Sequence, residues 1–194
     1  MGMNICSVVL SGGKSSRMGM NKSLLMLKDR MVIELIIEEL WTISDQVVVI
    51  TNNKPDYEFL QVPLIHDRYR DKGPLAGMEA ALHHVDADRF IVSACDTPFI
   101  DARVYQFLLD QMEKHDAVVP VFNNRLHPLS GIYKRTILPH VEKLLENDRL
   151  SIRKLFDHID VKMIDEFGNL SYDTLNKHFF NMNNPSDYET AKSL

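Results

Sequence analysis

Short apolar runs alternate along the chain with amphipathic stretches, and this alternation predicts strands alternating with helices. Residues Asn4 to Leu10 form a nearly continuous apolar run that stops at Ser11-Gly12-Gly13, as is typical of a buried parallel strand. From Met31 to Trp41, apolar and acidic residues recur with helical spacing. The further predicted strands are Gln46 to Thr51, Val62 to Ile65, Phe90 to Ala94, Ala117 to Val121 and Ser130 to Tyr133. The further predicted helices are Pro74 to His84, Ala102 to Lys114 (capped by Asp101), Thr136 to Glu146, Ser151 to Phe156 and Ser186 to Ala191.

This order of elements predicts a single-domain α/β fold with three layers, in which helices cover both faces of a mostly parallel sheet. A length of 194 residues with 45% hydrophobic residues fits one domain over residues 1–194. In such sheets, ligands bind beyond the carboxyl ends of the strands. The residues that directly follow each strand are therefore the candidates for chemistry.

Charge and composition narrow the class of protein. A formal net charge of −5 argues against a nucleic-acid partner, which normally needs a broad basic face. The apolar runs are much shorter than the roughly 20 residues that cross a bilayer, and no signal-peptide pattern opens the chain, so we expect no membrane span and a cytoplasmic protein. Cys6 and Cys95 have no metal or redox spacing and are expected to be reduced core thiols.

The segment from Leu10 to Lys22 concentrates glycine and positive charge directly after the first predicted strand. Gly12 and Gly13 allow backbone amides to approach a ligand closely. Three cations lie in the same segment: Lys14, Arg17 and Lys22. In an acidic chain this concentration favours an anionic ligand such as a triphosphate, although a glycine turn with a solvated basic edge is the alternative. The spacing matches neither a GxGxxG fingerprint nor a Walker A loop.

Two acidic residues also follow predicted strands. Asp96 could hold Mg²⁺, which takes one or two protein carboxylates together with water and substrate phosphates; capping of the following turn is an equally good interpretation. Asp67 precedes a basic stretch that has the composition of a solvated face: Arg68, Arg70 and Lys72. The eight histidines show no metal-ligand spacing, and no GxSxG nucleophile is present.

At this point the Leu10 to Lys22 segment closely resembles the signature loop of the molybdenum cofactor guanylyltransferases, which belong to a wider group of Rossmann-like nucleotidyltransferases. The further matches follow in family order: Gly73-Pro-Leu-Ala-Gly77, Ser93-Ala-Cys-Asp-Thr-Pro-Phe99, His127-Pro-Leu-Ser-Gly131 with Tyr133, and Phe180-Asn-Met-Asn-Asn-Pro185. The resemblance implies a Rossmann-like fold and transfer of GMP from GTP to molybdenum-bound molybdopterin, with Mg²⁺ as cofactor and pyrophosphate as the second product.

The resemblance also implies roles for individual residues. The nucleotide-binding set is Leu10, Ser11, Gly12, Lys22, Asn52, Asp67 and Asp96, to which the composition of the loop adds Gly13 and Lys14. The acceptor-binding pair is Asn181 and Asn183. Catalysis is assigned to Lys22, Arg17 and Asp96, with Asp96 as the metal ligand and the cations stabilising the leaving pyrophosphate. The nucleotide would thus occupy the N-terminal half and the pterin the C-terminal half. One residue departs from the family pattern, because Asn21 stands where Asp is usual.

Three alternatives remain at this point. The chain could be a molybdopterin cytidylyltransferase, a sugar-phosphate nucleotidyltransferase, or a non-catalytic protein that delivers the cofactor. The partners implied by the preferred interpretation are GTP, a molybdopterin-type acceptor, molybdenum-insertion proteins and apo-molybdoenzymes. Further candidate acceptor contacts are Arg125, Arg149 and Arg153, for each of which a solvated surface position is the more usual interpretation.

Overall fold

The computed structural model describes residues 4–11 and 21–194. The strands within these ranges are β1 (Ile5–Leu10), β2 (Met26–Leu27), β3 (Arg30–Met31), β4 (Gln46–Ile50), β5 (Leu64–Ile65), β6 (Arg89–Ala94), β7 (Ala117–Phe122), β8 (Arg125–Leu126), β9 (Ile132–Lys134) and β10 (Val161–Ile164). The α-helices are α1 (Val32–Trp41), α2 (Pro74–His84), α3 (Ala102–Asp110), α4 (Leu138–Glu146), α5 (Ile152–Leu155), α6 (Tyr172–His178) and α7 (Pro185–Ser193). Short 3-10 helices span Lys22–Leu24, Lys54–Tyr57, Pro128–Ser130 and Arg135–Ile137. Residues 12–20 of the predicted phosphate loop lie outside the described residues, and with them the predicted site residues Gly12, Gly13, Lys14 and Arg17.

The strands build one large mixed sheet. Its order is β10-β7-β9-β6-β1-β4-β5, with β8 paired to β7, while β2 and β3 form a separate antiparallel hairpin. Strand β1 runs parallel to both of its neighbours, β4 and β6, and β4 runs parallel to β5. Only β9 and β8 are antiparallel to their partners in this sheet, as far as the described residues show. The carboxyl ends of β6, β1, β4 and β5 therefore meet along one edge, and the predicted mostly parallel sheet is confirmed.

Both faces of the sheet are covered. Alternate residues of β1 point to opposite faces, so Val9 packs in one core with α1, α3, α6 and α7, whereas Val8 packs in the other with α2, α4 and α5. Burial on both faces explains why β1 is a continuous apolar run rather than an alternating one. The predicted three-layer α/β architecture is confirmed. No helix in residues 4–11 and 21–194 is long and apolar enough to cross a membrane.

Helix entries follow the expected chemistry at two places. The predicted helix from Pro74 to His84 is confirmed at both bounds, and Gly73 begins it with a φ of 70°, a conformation that suits glycine. The Asp101 side chain caps α3 by accepting a hydrogen bond from the Arg103 amide at 2.9 Å.

Several boundaries differ from the prediction. Helix α3 ends at Asp110 rather than Lys114, because the chain tightens into 3-10-type bonds, with Met112 N–H donating to the Leu109 carbonyl. The predicted strand Ser130 to Tyr133 is instead β9, Ile132–Lys134, because Pro128–Ser130 forms a 3-10 turn before it. The edge strand β10 and the helix α6 were not predicted, since both are short and are stabilised by packing against distant elements.

Candidate active site

Four polar residues predicted from strand ends lie at the carboxyl edge of the parallel strands: Ser11, Asn52, Asp67 and Asp96. Asn52 and Asp67 pair reciprocally, with Asn52 Nδ2 donating to Asp67 Oδ2 at 2.8 Å and the Asp67 amide donating to Asn52 Oδ1 at 3.2 Å. Burial raises the pKa of Asp67, and the hydrogen bond from Asn52 opposes that rise. This pair fixes the ends of β4 and β5 against one another.

Lys22 lies between an acidic residue of the sheet and an asparagine near the C-terminus. Its Nζ is 3.8 Å from Asp96 Oδ2 and 3.4 Å from Asn183 Oδ1. Burial raises the pKa of Asp96, and the nearby Lys22 charge opposes this. The two charged side chains are only 17% and 21% exposed, so their attraction is less screened than at an open surface. Three residues predicted separately are thus brought into one cluster.

Hydrogen bonds hold the segment around Asn183 in place at two positions. The Met182 amide donates to the carbonyl oxygen of Asp96 at 2.9 Å, which holds the segment against the end of β6. The carboxylate of Asp187, in the first turn of α7, accepts from the amides of Asn183 at 2.7 Å and Asn184 at 3.1 Å. Because its backbone is held in this way, Asn183 presents its side chain to Lys22 from a defined position.

A cavity of about 350 Å³ opens beside this cluster. Its wall includes the stacked rings of Phe122 and Phe179, whose centroids are 5.1 Å apart. Polar lining is supplied by several residues, among them Arg125, His127, Asn181 and Asn183. Like Lys22, the Arg125 charge opposes the rise that burial causes in the pKa of Asp96, so a cation of the cavity wall acts on the same carboxylate as Lys22. Arg149 and Arg153, the other candidate acceptor contacts, are exposed and do not line this cavity.

Sequence reasoning missed Tyr57. Its ring is buried at the end of the 3-10 helix after β4, and its hydroxyl contacts the side chains of Ser11, Asn21 and Ser23. Nothing in the sequence around Tyr57 indicates which side chains its hydroxyl will contact.

The Gly73 to Gly77 motif acts through close packing. A Cβ atom on Gly77 would lie 2.9 Å from Leu10 Cδ2 and 3.6 Å from Asp67 Oδ1. Glycine at this position lets α2 approach the ends of β1 and β5 closely. Gly77 therefore lies directly against two predicted site residues, Leu10 and Asp67.

A second acidic cluster lies between α2 and α4. Ligand-type atoms of Glu79, His83 and Glu142 lie within 4.8 Å of one another, a grouping that the sequence analysis did not predict. However, Arg68 Nη1 lies 2.5 Å from Glu79 Oε1 and 3.4 Å from Glu142 Oε1, so a guanidinium already supplies the positive charge. Arg68 is exposed, as expected of a solvated basic face, but its guanidinium also pairs with the fully buried side chain of Glu79, a contact that the sequence did not predict.

Comparison with known proteins places the chain in a family. A family model described as the MobA-like NTP transferase domain matches residues 7–163. The chain belongs to this family. It is 36% identical over 187 residues to a probable molybdenum cofactor guanylyltransferase of Carboxydothermus hydrogenoformans, a match covering 96% of this chain and 94% of the relative. A Clostridium perfringens protein of the same name is 34% identical over 186 residues, covering 94% of this chain and 93% of that one.

A solved structure agrees with this placement. The crystal structure of molybdopterin-guanine dinucleotide biosynthesis protein A from Archaeoglobus fulgidus superposes with a TM-score of 0.83 at 25% identity, and the match covers 97% of each chain. The predicted family and the prediction of an enzyme are both confirmed. The protein is a nucleotidyltransferase of the molybdenum cofactor biosynthesis group.

Proposed function

We propose that the protein transfers GMP from GTP to molybdenum-bound molybdopterin in a Mg²⁺-dependent reaction, forming molybdopterin guanine dinucleotide and releasing pyrophosphate. The observation that carries this proposal is the position of Lys22, whose Nζ faces Asp96 on the strand-end side and Asn183 on the cavity side. The Lys22 ammonium group therefore lies where the nucleotide and the acceptor would meet. The names of the relatives supply the guanylyl group and the molybdenum cofactor, and the name of the Archaeoglobus fulgidus protein supplies molybdopterin.

In this proposal the nucleotide lies along the carboxyl edge of the parallel strands. Leu10, Ser11, Asn52 and Asp67 line that edge. Gly12, Gly13 and Lys14 are assigned to the same nucleotide from the sequence alone, as residues whose amides and charge would hold phosphate oxygens. The N-terminal half would bind GTP and the C-terminal half the acceptor.

Asp96 suits a divalent cation on three grounds. It follows the buried strand β6 by two residues at the ligand edge, it supplies a carboxylate, and Lys22 approaches it only to 3.8 Å, beyond hydrogen-bonding distance. Mg²⁺ typically takes one or two protein carboxylates and completes its shell with water and substrate phosphates, so Asp96 would hold it. When bound, the ion would neutralise phosphate charge and increase the electrophilicity of the α-phosphorus.

The reaction needs no activated side chain. A phosphate oxygen of the acceptor forms a bond to the α-phosphorus of GTP, and the bond from that phosphorus to the oxygen shared with the β-phosphate breaks, releasing pyrophosphate. The acceptor phosphate is already ionised at neutral pH, so catalysis requires positioning and charge stabilisation. Lys22 and Arg17 stabilise the charge that develops on pyrophosphate, and Asn181 and Asn183 orient the acceptor.

The cavity is the proposed acceptor site. A volume of about 350 Å³ lies within the usual range for small-molecule pockets, roughly 300 to 1,000 Å³. Phe122 and Phe179 offer an aromatic surface for a planar pterin, and Arg125 offers a cation for its phosphate. We also expect a cytoplasmic location and transfer of the product to apo-molybdoenzymes, directly or through molybdenum-insertion proteins.

The test compares the four nucleoside triphosphates with a molybdopterin acceptor and Mg²⁺. Pyrophosphate release is measured, and the dinucleotide product is identified by chromatography and mass. We expect turnover with GTP and little with ATP, CTP or UTP. A preference for CTP would favour the cytidylyltransferase alternative, and turnover only with a sugar phosphate as acceptor would favour a sugar-phosphate nucleotidyltransferase. Removal of Mg²⁺ by a chelator should abolish the reaction, and its restoration should recover it.

A further inference from the structure

The hydroxyl of Tyr57 contacts three side chains around the proposed nucleotide site. Tyr57 Oη lies 2.5 Å from Ser11 Oγ, 2.7 Å from Asn21 Nδ2 and 2.8 Å from Ser23 Oγ. Tyr57 is 1% exposed and Ser23 is fully buried, so the bond between their hydroxyls is shielded from water. We refer to Ser11, Asn21, Ser23 and Tyr57 as the Tyr57 network.

The direction of each hydrogen bond follows from the donors available. The Ser23 amide can only donate, and it lies 3.3 Å from Asn21 Oδ1, which fixes the orientation of the Asn21 side chain. Asn21 Nδ2 must then donate to Tyr57 Oη. Ser23 Oγ donates to Asn21 Oδ1 at 2.8 Å, which leaves its lone pairs free to accept from the Tyr57 hydroxyl.

These bonds close a ring. Tyr57 donates to Ser23, Ser23 donates to Asn21, and Asn21 donates back to Tyr57. The second lone pair of Tyr57 Oη remains for the Ser11 hydroxyl. Every buried polar atom in the ring has a partner, and in such closed networks the bonds strengthen one another.

Asparagine at position 21 fits this ring because it both donates and accepts. An aspartate at position 21 has no N–H, so it could only accept a hydrogen bond from the Tyr57 hydroxyl. The Tyr57 hydrogen would then no longer be donated to Ser23. The aspartate would also place a carboxylate directly before Lys22 in the chain. Asn21 therefore supports a neutral network and leaves the Lys22 charge facing Asp96 and Asn183.

We propose that Tyr57 is a positioning residue of the transfer reaction, which acts on Lys22 by fixing Asn21, the residue bonded to it. Tyr57 joins a strand-end residue, Ser11, to the start of the Lys22–Leu24 helix, although it lies 46 positions from Ser11 and 36 from Asn21. The side chain of Asn21 also caps that helix by accepting from Ser23 N–H. This inference rests on the proposed role of Lys22 in holding nucleotide phosphates.

The first test replaces Tyr57 with Phe, which removes the hydroxyl and keeps the ring. The dissociation constant is measured by calorimetry with whichever nucleoside triphosphate the wild type turns over, in Mg²⁺ and below the unfolding temperature of each variant. Loss of a buried hydrogen-bond network of this size predicts a rise of about tenfold. Ser23→Ala breaks the same ring without altering Tyr57 and should give a similar rise.

Tyr105→Phe is the matched control. Tyr105 is also fully buried, and its hydroxyl lies 3.4 Å from the Val92 carbonyl oxygen and from Ser130 Oγ, away from Lys22. It should lower the unfolding temperature without changing nucleotide affinity. A purely structural role for Tyr57 would instead make its Phe variant behave like this control, and that result would overturn the proposal.

The second test asks whether Tyr57 acts through Lys22. Tyr57→Phe is combined with Lys22→Ala, and the same affinity is measured for the double variant. If the hydroxyl positions Lys22, its loss should change affinity less than about twofold once Lys22 is absent. An equal loss in both backgrounds would contradict the proposal. Because the measurement uses the nucleotide that the wild type turns over, a preference other than GTP would refute the proposed function while leaving this test decisive.

Discussion

Lys22 Nζ lies 3.4 Å from Asn183 Oδ1, although 161 positions separate the two residues in the chain. The contact joins the end of the predicted phosphate loop to the segment before α7. Asp96 contributes to the same place in two ways, through its carboxylate near Lys22 and through its carbonyl oxygen, which accepts from Met182. The proposed reaction centre is thus built from three distant parts of the sequence.

Asp96→Asn should abolish turnover while leaving nucleotide binding largely intact. The amide keeps the shape of the side chain but loses the charge that would hold Mg²⁺, and we expect a fall in kcat of at least about 100-fold. Pyrophosphate release measures turnover, and calorimetry measures affinity. The control is Asp157→Asn, because Asp157 is exposed and pairs only with Lys154 among the described residues. A kcat within about threefold of the wild type would refute the assigned metal role.

Arg125→Ala should weaken the acceptor and spare the nucleotide. Arg125 lines the cavity beside Asn181 and Asn183, so its loss should raise KM for the molybdopterin acceptor about tenfold, the cost of one charge-assisted contact. Steady-state kinetics at saturating GTP gives this value. Arg149→Ala removes an exposed arginine that does not line the cavity and should leave both constants unchanged. Equal effects of the two substitutions would refute the proposed acceptor site.

The stability of the fold should fall below pH 6.5, partly through His178. Its Nδ1 accepts from the Asp101 amide at 2.9 Å, so Nε2 carries the hydrogen and donates to Ser130 Oγ at 2.8 Å. Burial lowers the pKa of His178 from its ordinary value of 6.5 to about 3, against the opposing charge of Asp101. Between these values the unfolded chain binds a proton that the native state does not. This one group should therefore lower the free energy of unfolding by about 1.4 kcal/mol in total between pH 7.5 and 5.5, with a slope that approaches about 1.4 kcal/mol per pH unit only well below 6.5.

Urea unfolding of the wild type and His178→Gln between pH 7.5 and 5.5 measures that dependence. The variant should be less stable at pH 7.5 but should lose less stability on acidification, since glutamine does not titrate. Burial also lowers the pKa of His127, and this contribution is present in both proteins. The difference between the two slopes therefore isolates His178. Equal slopes would show that His178 binds its proton alike in the folded and unfolded chains.

Gly131→Ala should destabilise the fold more than Gly77→Ala. A Cβ on Gly131 would lie 3.0 Å from the backbone oxygen of Val118, which is held in the sheet by its pairing with Ile132. On Gly77 the closest atom is the terminal Cδ2 of Leu10, which can rotate away. We expect a loss of about 1 to 3 kcal/mol for the former and less for the latter, measured by urea unfolding. Equal losses of stability would mean that the backbone of β7 at Val118 shifts as easily as the Leu10 side chain, and would contradict this prediction.

The sequence by itself determined the order of the main elements and the edge of the sheet at which chemistry is expected. These features depend on local properties: apolar runs form buried strands, and Ser11, Asn52, Asp67 and Asp96 were found only because they follow such runs. The resemblance of the Leu10 to Lys22 segment supplied the family, which the comparisons confirm. Short elements such as β10 and α6 escaped prediction because tertiary packing, rather than local periodicity, stabilises them.

Only the tertiary structure decided which of these side chains meet. The partners of the Tyr57 hydroxyl, the pairing of Arg68 with the buried Glu79 and the contact of Lys22 with Asn183 all join residues far apart in the chain. A hydrogen bond depends on the position of two atoms to within a few tenths of an ångström, and the residues adjacent in sequence do not specify that position. The sequence and the resemblance therefore named the acid, the cation and the asparagine of the proposed centre, while the fold brought the three side chains together and placed the Tyr57 hydroxyl against Asn21.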